Sequence, residues 1–159
     1  GSERAADGRS FRRVFFIRPR SSSVRRRLVI FVDTGAWYAL TVPDDPHHLQ
    51  ANAFAETRRD DRVTTDYVLD ETLTLLKARN EFKRALKLGL ELLDERWCEL
   101  EYVVPADVRG AWVLFERNRD KGWSFTDCVS RVGMERREIA EAFAFDHHFR
   151  QFGDGIVRP

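Results

Sequence analysis

The chain has 159 residues, enough for one domain with a sizeable core, and its 43% hydrophobic and 33% charged residues make an ordinary soluble globular balance. No apolar run approaches the roughly 18 residues of a membrane span. The only cysteines, Cys98 and Cys128, form no CxxC pair, which argues against a disulfide framework or a structural zinc site and fits a reducing cytoplasm.

The net charge of +1 hides a split. Residues 1–27 carry nine arginines against Glu3 and Asp7, a net of +7, while the other 132 residues carry −6. The chain therefore divides into a basic N-terminal extension, 1–27, and an acidic body, 28–159. Gly1-Ser2 has the form of a cleaved-tag remnant and carries no weight for the fold. Val14-Phe15-Phe16-Ile17 is too short for the apolar stretch of a secretory signal, and Arg18-Pro19 interrupts it. The Arg- and Ser-rich composition is also that of a transit peptide. Beyond targeting, three readings of the arm stand open. It is inert upstream sequence, or a flexible tether that supplies phosphate contacts to an acidic body. Alternatively Phe11 to Ile17 pairs with a sheet edge and an arginine reaches a carboxylate.

In chain order, Leu28-Val29-Ile30-Phe31-Val32 is a continuous apolar run, as expected of a parallel strand buried on both faces. A turn at Pro43-Asp44-Asp45 precedes a predicted helix from Pro46 to Arg59. A short strand over Arg62-Val63-Thr64 leads into predicted helices from Asp66 to Asn80 and from Glu81 to Glu95. Cys98 to Val104 reads as a strand. Pro105 opens a helix running to Asn118. Gly122-Trp123 breaks the chain before a helix from Phe125 to Arg136, Glu138 to Phe145 reads as a strand, and Ile156-Val157 as a short last one. Strands alternating with helices predict an α/β fold with a mostly parallel central sheet flanked by helices on both faces.

Four carboxylates stand out. Asp33 and Asp146 each follow an apolar strand, and ligands of open α/β sheets sit at the carboxyl ends of strands. Either alone reads as a cap or loop residue; the pair favours a ligand for something positive. On the helix after the second strand, Asp66, Asp70 and Lys77 share the flank expected to face solvent. Glu71 falls with Tyr67, Thr74, Leu75 and Ala78, a largely apolar flank where an unpaired charge costs several kcal/mol unless a cation meets it. The alternative is a boundary glutamate with its head in water. Ser124-Phe125-Thr126-Asp127 has capping-box spacing, a full explanation of Asp127 by itself, although capping leaves a carboxylate other lone pairs.

Val32-Asp33-Thr34-Gly35-Ala36-Trp37, Thr65-Asp66-Tyr67-Val68-Leu69-Asp70-Glu71-Thr72, Ser124-Phe125-Thr126-Asp127-Cys128 and Ala144-Phe145-Asp146-His147-His148-Phe149 resemble, in order, the successive motifs of VapC-type PIN-domain toxin ribonucleases. The resemblance covers about residues 28–157 and leaves residues 1–27 without a counterpart. It implies that Asp33, Glu71, Asp127 and Asp146 cluster as catalytic ligands of Mg²⁺ or Mn²⁺, with Asp146 the most variable in role and Thr126 a supporting hydroxyl. It further implies an RNA substrate, a cognate antitoxin and a homodimer. Hard carboxylate oxygens suit these ions, and two ions roughly 3.5–4 Å apart can clamp the attacking and leaving oxygens of a phosphodiester.

Other chemistries have less support. His47-His48 and His147-His148 lack cysteine partners and HExxH spacing, and His148 reads as a surface residue, with substrate contact as the alternative. No GxxxxGK[ST], GxGxxG or GxSxG occurs. Trp37, Trp97, Trp112 and Trp123 read as core, Trp123 being the candidate exception that stacks on a base. Two other functions remain open on the sequence: another metal-dependent phosphohydrolase, or a catalytically silent PIN module that binds RNA or protein.

Overall fold

A computed structural model describes residues 28–58 and 60–152; the basic arm and the expected last strand at Ile156-Val157 lie outside the described residues. Strands β1 (Val29–Val32), β2 (Asp61–Thr65), β3 (Glu99–Glu101) and β4 (Glu141–Phe143) form one sheet. Its order is β3-β2-β1-β4 and every neighbouring pair is parallel. Successive β1 residues Ile30, Phe31 and Val32 are all buried. Because side chains alternate between faces along a strand, both faces of β1 are covered, as its unbroken apolar run predicts.

The helices are α1 (Thr34–Thr41), α2 (His48–Thr57), α3 (Asp66–Ala78), α4 (Phe82–Leu93), α5 (Pro105–Arg117) and α6 (Phe125–Arg136), followed by a 3₁₀ helix over His147–Phe152. The main core joins the sheet to side chains from α1 to α4, with Phe149 of the 3₁₀ helix stacked on Phe31 at 6.3 Å. A smaller cluster gathers Ala111 of α5 with Cys128 and Val129 of α6.

Helix α1 was not expected. It is nearly all apolar and mostly buried, so no amphipathic period marks it. Both later strands are shorter than predicted. Helices α3, α4 and α6 end alike, with a non-glycine residue at positive φ: Asn80 (62°), Glu95 (52°) and Glu138 (54°). In each, the next N–H bonds the carbonyl five residues back, Glu81 to Leu76, Arg96 to Glu91 and Ile139 to Met134. This six-residue closure usually announces itself by glycine. Without that signal the strand after α6 is predicted from Glu138, three residues ahead of its true start. Two tryptophans also depart from expectation. Trp37 is buried, but Trp97 and Trp112 are exposed: each sits at the surface with a ring neighbour, Trp97 stacked on Trp37 at 6.5 Å and Trp112 beside Phe115 at 6.2 Å.

The chain lays down β1, β2 and β3 outward in one direction and then returns to place β4 on the other side of β1. The crevice at the carboxyl ends of β1 and β4 is thus the topological switch point. A buried polar link fixes its wall. The Thr64 hydroxyl donates to the Val32 carbonyl at 2.8 Å and accepts from Trp37 Nε1 at 3.2 Å, tying α1 to the sheet one residue from Asp33. Thr64→Val leaves the indole N–H buried and unpaired and should cost about 1–3 kcal/mol in urea unfolding. A loss under about 0.5 kcal/mol would remove this link from the account.

Candidate active site

Asp33 leaves β1, caps α1 with its carboxylate accepting from the Gly35 N–H at 3.3 Å, and is only 5% exposed. Its own N–H donates to the Phe143 carbonyl of β4 at 3.1 Å, which sets it between the two strands of the switch point. Glu71 lies on the second turn of α3, and its Oε2 accepts a 2.7 Å hydrogen bond from the Thr34 hydroxyl. Asp127 lies in the first turn of α6 in a complete capping box. Its Oδ2 accepts from the Ser124 N–H at 2.7 Å, and its own N–H donates to Ser124 Oγ at 3.1 Å.

Charge coupling shows which acids share a site. Burial first, and then the charge on Asp127, push the Asp33 carboxyl up to about 7; N–H groups of Gly35 and Thr34 pull it down, and Glu71 adds a smaller push. Glu71 is also raised, first by burial, against the hydrogen bond from Thr34 and with the charge of Asp127, then Asp70; a hydrogen bond from Thr126 lowers it. Asp33, Glu71 and Asp127 therefore form one electrostatic unit, and the charges acting on Asp33 and Glu71 are all carboxylates.

Asp146 stands apart from this unit. Its side chain is 43% exposed, its Oδ1 accepts from the His148 N–H at 2.8 Å, and no shift of Asp33 or Glu71 is traced to it. It reaches the cluster through His148, whose Nδ1 lies 3.4 Å from Asp127 Oδ2 and 3.3 Å from Asp146 Oδ1. That nitrogen is buried and makes no hydrogen bond among the described residues. Asp146, His147 and His148 also bring one ligand atom each within 4.8 Å of one another.

Three readings of the sequence change accordingly. His148 is not a surface residue: the 3₁₀ turn folds it inward between two acids, a local geometry that an Asp-His-His string does not encode. Asp66 is not simply solvated, since its Oδ1 accepts from the Val103 N–H at 3.0 Å. The flank of Glu71 is a boundary, with Tyr67 and Leu75 half-buried and Thr74 and Ala78 exposed; the core face of α3 is Val68, Leu69, Thr72 and Leu76. Thr34, a member of the first motif, is a functional residue that the sequence analysis does not identify. A hydroxyl directly after a strand-ending aspartate was the available signal.

The donor set suits a hard divalent cation. Asp33, Glu71 and Asp127 are coupled by charge, two of them with raised pKa. Although one oxygen of each already accepts a hydrogen bond, a carboxylate keeps further lone pairs for a cation.

A parallel α/β sheet with acids gathered at its switch point is the architecture of one nuclease class, and a family model described as PIN domain matches residues 30–155. The chain belongs to the PIN-domain family. Among curated relatives, the 23S rRNA-specific endonuclease VapC20 of Mycobacterium tuberculosis is 32% identical over 131 residues, covering 82% of this chain and 99% of the relative. The VapC ribonuclease of Archaeoglobus fulgidus is 28% identical over 132 residues, covering 77% and 80%. The crystal structure of M. tuberculosis VapC20, described as a sarcin-ricin loop cleaving toxin, matches with a TM-score of 0.77 at 32% identity, over 82% of this chain and 99% of that one.

The raised Asp33 makes a pH-dependent prediction. Its folded value of about 7 lies above the ordinary 3.8, so its contribution to stability is complete below the lower value and is lost as pH rises through the upper one. In EDTA, Asp33→Asn keeps an N-cap but removes the charge. It should therefore melt several degrees above wild type at pH 8, at roughly 2–4 °C per kcal/mol, with the gap closing towards pH 4. Thermal melts across that range check this, and a gap that does not vary with pH would contradict it.

Proposed function

We propose that this protein is a metal-dependent endoribonuclease that hydrolyses RNA phosphodiester bonds and acts as the toxin of a toxin–antitoxin pair. The observation that carries the reading is the placing of Asp33 at the end of β1 with Glu71 and Asp127 near enough for Asp127 to raise the cost of ionising both, and Glu71 that of Asp33. The shared family with VapC ribonucleases supports it.

Asp33, Glu71 and Asp127 would hold Mg²⁺ or Mn²⁺, with Asp146 contributing from the rim. When bound, such an ion neutralises phosphate charge and makes water a better nucleophile near neutral pH. The chain's own residues set up that chemistry. Thr34 and Thr126 hold the Glu71 carboxylate in place, and the capping box fixes Asp127. His148 lies between Asp127 and Asp146 at the mouth, where the RNA backbone would enter.

In this reading residues 28–159 are the nuclease unit and residues 1–27 a basic extension of it. The unit works as a homodimer with a cognate antitoxin laid near the acidic site, in the reducing cytoplasm. Among the described residues no helix is long and apolar enough to cross a membrane.

RNA cleavage by wild type and Asp127→Asn, each with Mg²⁺, Mn²⁺ or EDTA, is the direct test. Wild type should cut with metal alone, Asp127→Asn should not cut, and metal at about 100 times Kd should stabilise wild type by roughly 2.7 kcal/mol. Metal-independent cutting, or a fully active Asp127→Asn, would overturn the site assignment.

Toxicity is a separate matter. Expressed without a partner, the protein should slow bacterial growth, and Glu71→Gln should restore it. Equal growth of the two strains would remove the toxin role and leave the nuclease.

A further inference from the structure

Beside the acids lies a second feature. The end of α5 and the turn into α6 form an open cleft of about 520 Å³, lined among others by Trp112, Phe115, Arg119, Lys121, Gly122 and Trp123. Trp112 is 57% exposed and Phe115 40%, although both are large and apolar. Their rings lie 6.2 Å apart, and Phe115 is braced edge-on against Phe125 at 5.9 Å. Trp123 forms a stiffer wall, since it packs against both cores and its Nε1 donates to Gln151 at 3.1 Å.

The cleft adjoins the acidic site directly. Trp123 precedes Ser124, the cap of Asp127, and a Cβ placed on Gly122 would stand 3.1 Å from His148 Nε2. Arg119 and Lys121 outnumber the one acid of the lining, Glu116, and set positive charge on the rim of a body whose sequence carries −6, although Lys121 also lies 3.9 Å from Asp120. Exposed aromatic faces beside cations suit a nucleobase and its phosphate, since stacking holds the base and the cations meet the backbone.

We infer that this cleft holds an unpaired RNA base flanking the scissile phosphate, stacked on Trp112 against the Trp123 wall with Arg119 and Lys121 on the adjoining phosphates. The inference rests on the ribonuclease reading and adds to it the side chains that would grip the substrate, through a base taken out of its stack. A protein partner, either a second copy or an antitoxin segment, is the competing occupant. The cations beside the acidic site favour RNA.

The test uses the full chain and a labelled 12-nucleotide single-stranded RNA, with binding read by fluorescence anisotropy in EDTA and cleavage read separately with Mn²⁺. Trp112→Ala removes an exposed ring and should keep the wild-type melting temperature. It should weaken RNA binding roughly 5- to 150-fold, with most of the loss recovered in Trp112→Phe. Against the same RNA made wholly of abasic sugars, Trp112→Ala and wild type should bind alike. Arg119→Ala and Lys121→Ala should each flatten the log–log salt dependence by about 0.7. If wild type cuts RNA while Trp112→Ala binds it within twofold of wild type, the cleft assignment falls and the ribonuclease reading stands. Unchanged RNA binding with a dimer lost in sedimentation would reassign the cleft to contact between copies. If wild type neither binds nor cuts RNA, both readings fall together.

Discussion

Like charge confined beside the switch point is the constraint on which the rest of this structure turns. Two unit charges 4 Å apart repel by about 1 kcal/mol in water and about 4 kcal/mol at the effective dielectric of a protein surface. Asp33 is buried, and its carboxyl is held near 7 by that burial and by Asp127. A loose chain would relax such a cluster by letting one acid swing into solvent. Here each acid is fixed by its own local element. Asp33 is an N-cap, Asp127 is half of a capping box, and Glu71 is held by the Thr34 hydroxyl across 37 residues of sequence. Stability is spent on keeping the three together.

The parallel sheet makes that arrangement economical in parts. Strands that all run one way bring the starts of α1 and α3, which follow β1 and β2, to one end, while α6 follows α5 and brings Asp127 of its first turn to bear on Asp33 and Glu71. Helix N-termini carry partial positive charge and donate N–H groups, which favours carboxylates there by a few tenths to about 1 kcal/mol each. That is smaller than the mutual repulsion, consistent with acids that stay perturbed despite their caps. The Thr64 link between Val32 and Trp37 then keeps β1 and α1 from shifting relative to one another.

Much of this was legible in the sequence, for identifiable reasons. The unbroken run from Leu28 to Val32, the alternation of strands with helices, Pro105 at a helix start and the Ser124–Asp127 box are all local signals, and each forms as expected. What escaped depends on contacts the sequence does not carry. Helix α1 hides because burial on nearly all sides erases the periodicity that would mark it. Strand ends were overrun because three αL closures use Asn80, Glu95 and Glu138 in place of glycine. The motif order implied one cluster of Asp33, Glu71 and Asp127, and the structure shows Asp127 acting by charge on both Asp33 and Glu71. Asp146 stands further out than its place after a strand suggests, because β4 ends at Phe143 and the intervening residues carry it to the rim. His148 was undervalued because its burial comes from tertiary contact with the α5–α6 turn.

That turn links the proposed substrate cleft to the proposed chemistry. Trp123, Ser124 and Asp127 lie within five residues of one another, so a base pressed against the indole bears on the segment that orients the carboxylate. Gly122 matters in the same way. A Cβ there would stand 3.1 Å from His148 Nε2, so the turn or the imidazole between Asp127 and Asp146 would have to give by a few tenths of an ångström. An acidic body draws phosphate poorly through its overall field. An aromatic cleft with Arg119 and Lys121 against Glu116 on its rim would instead capture substrate by contact, beside the acids where charge must be neutralised. Affinity would then come from the α5–α6 side and reactivity from the β1–β4 crevice, with residues 122–127 as the joint between them.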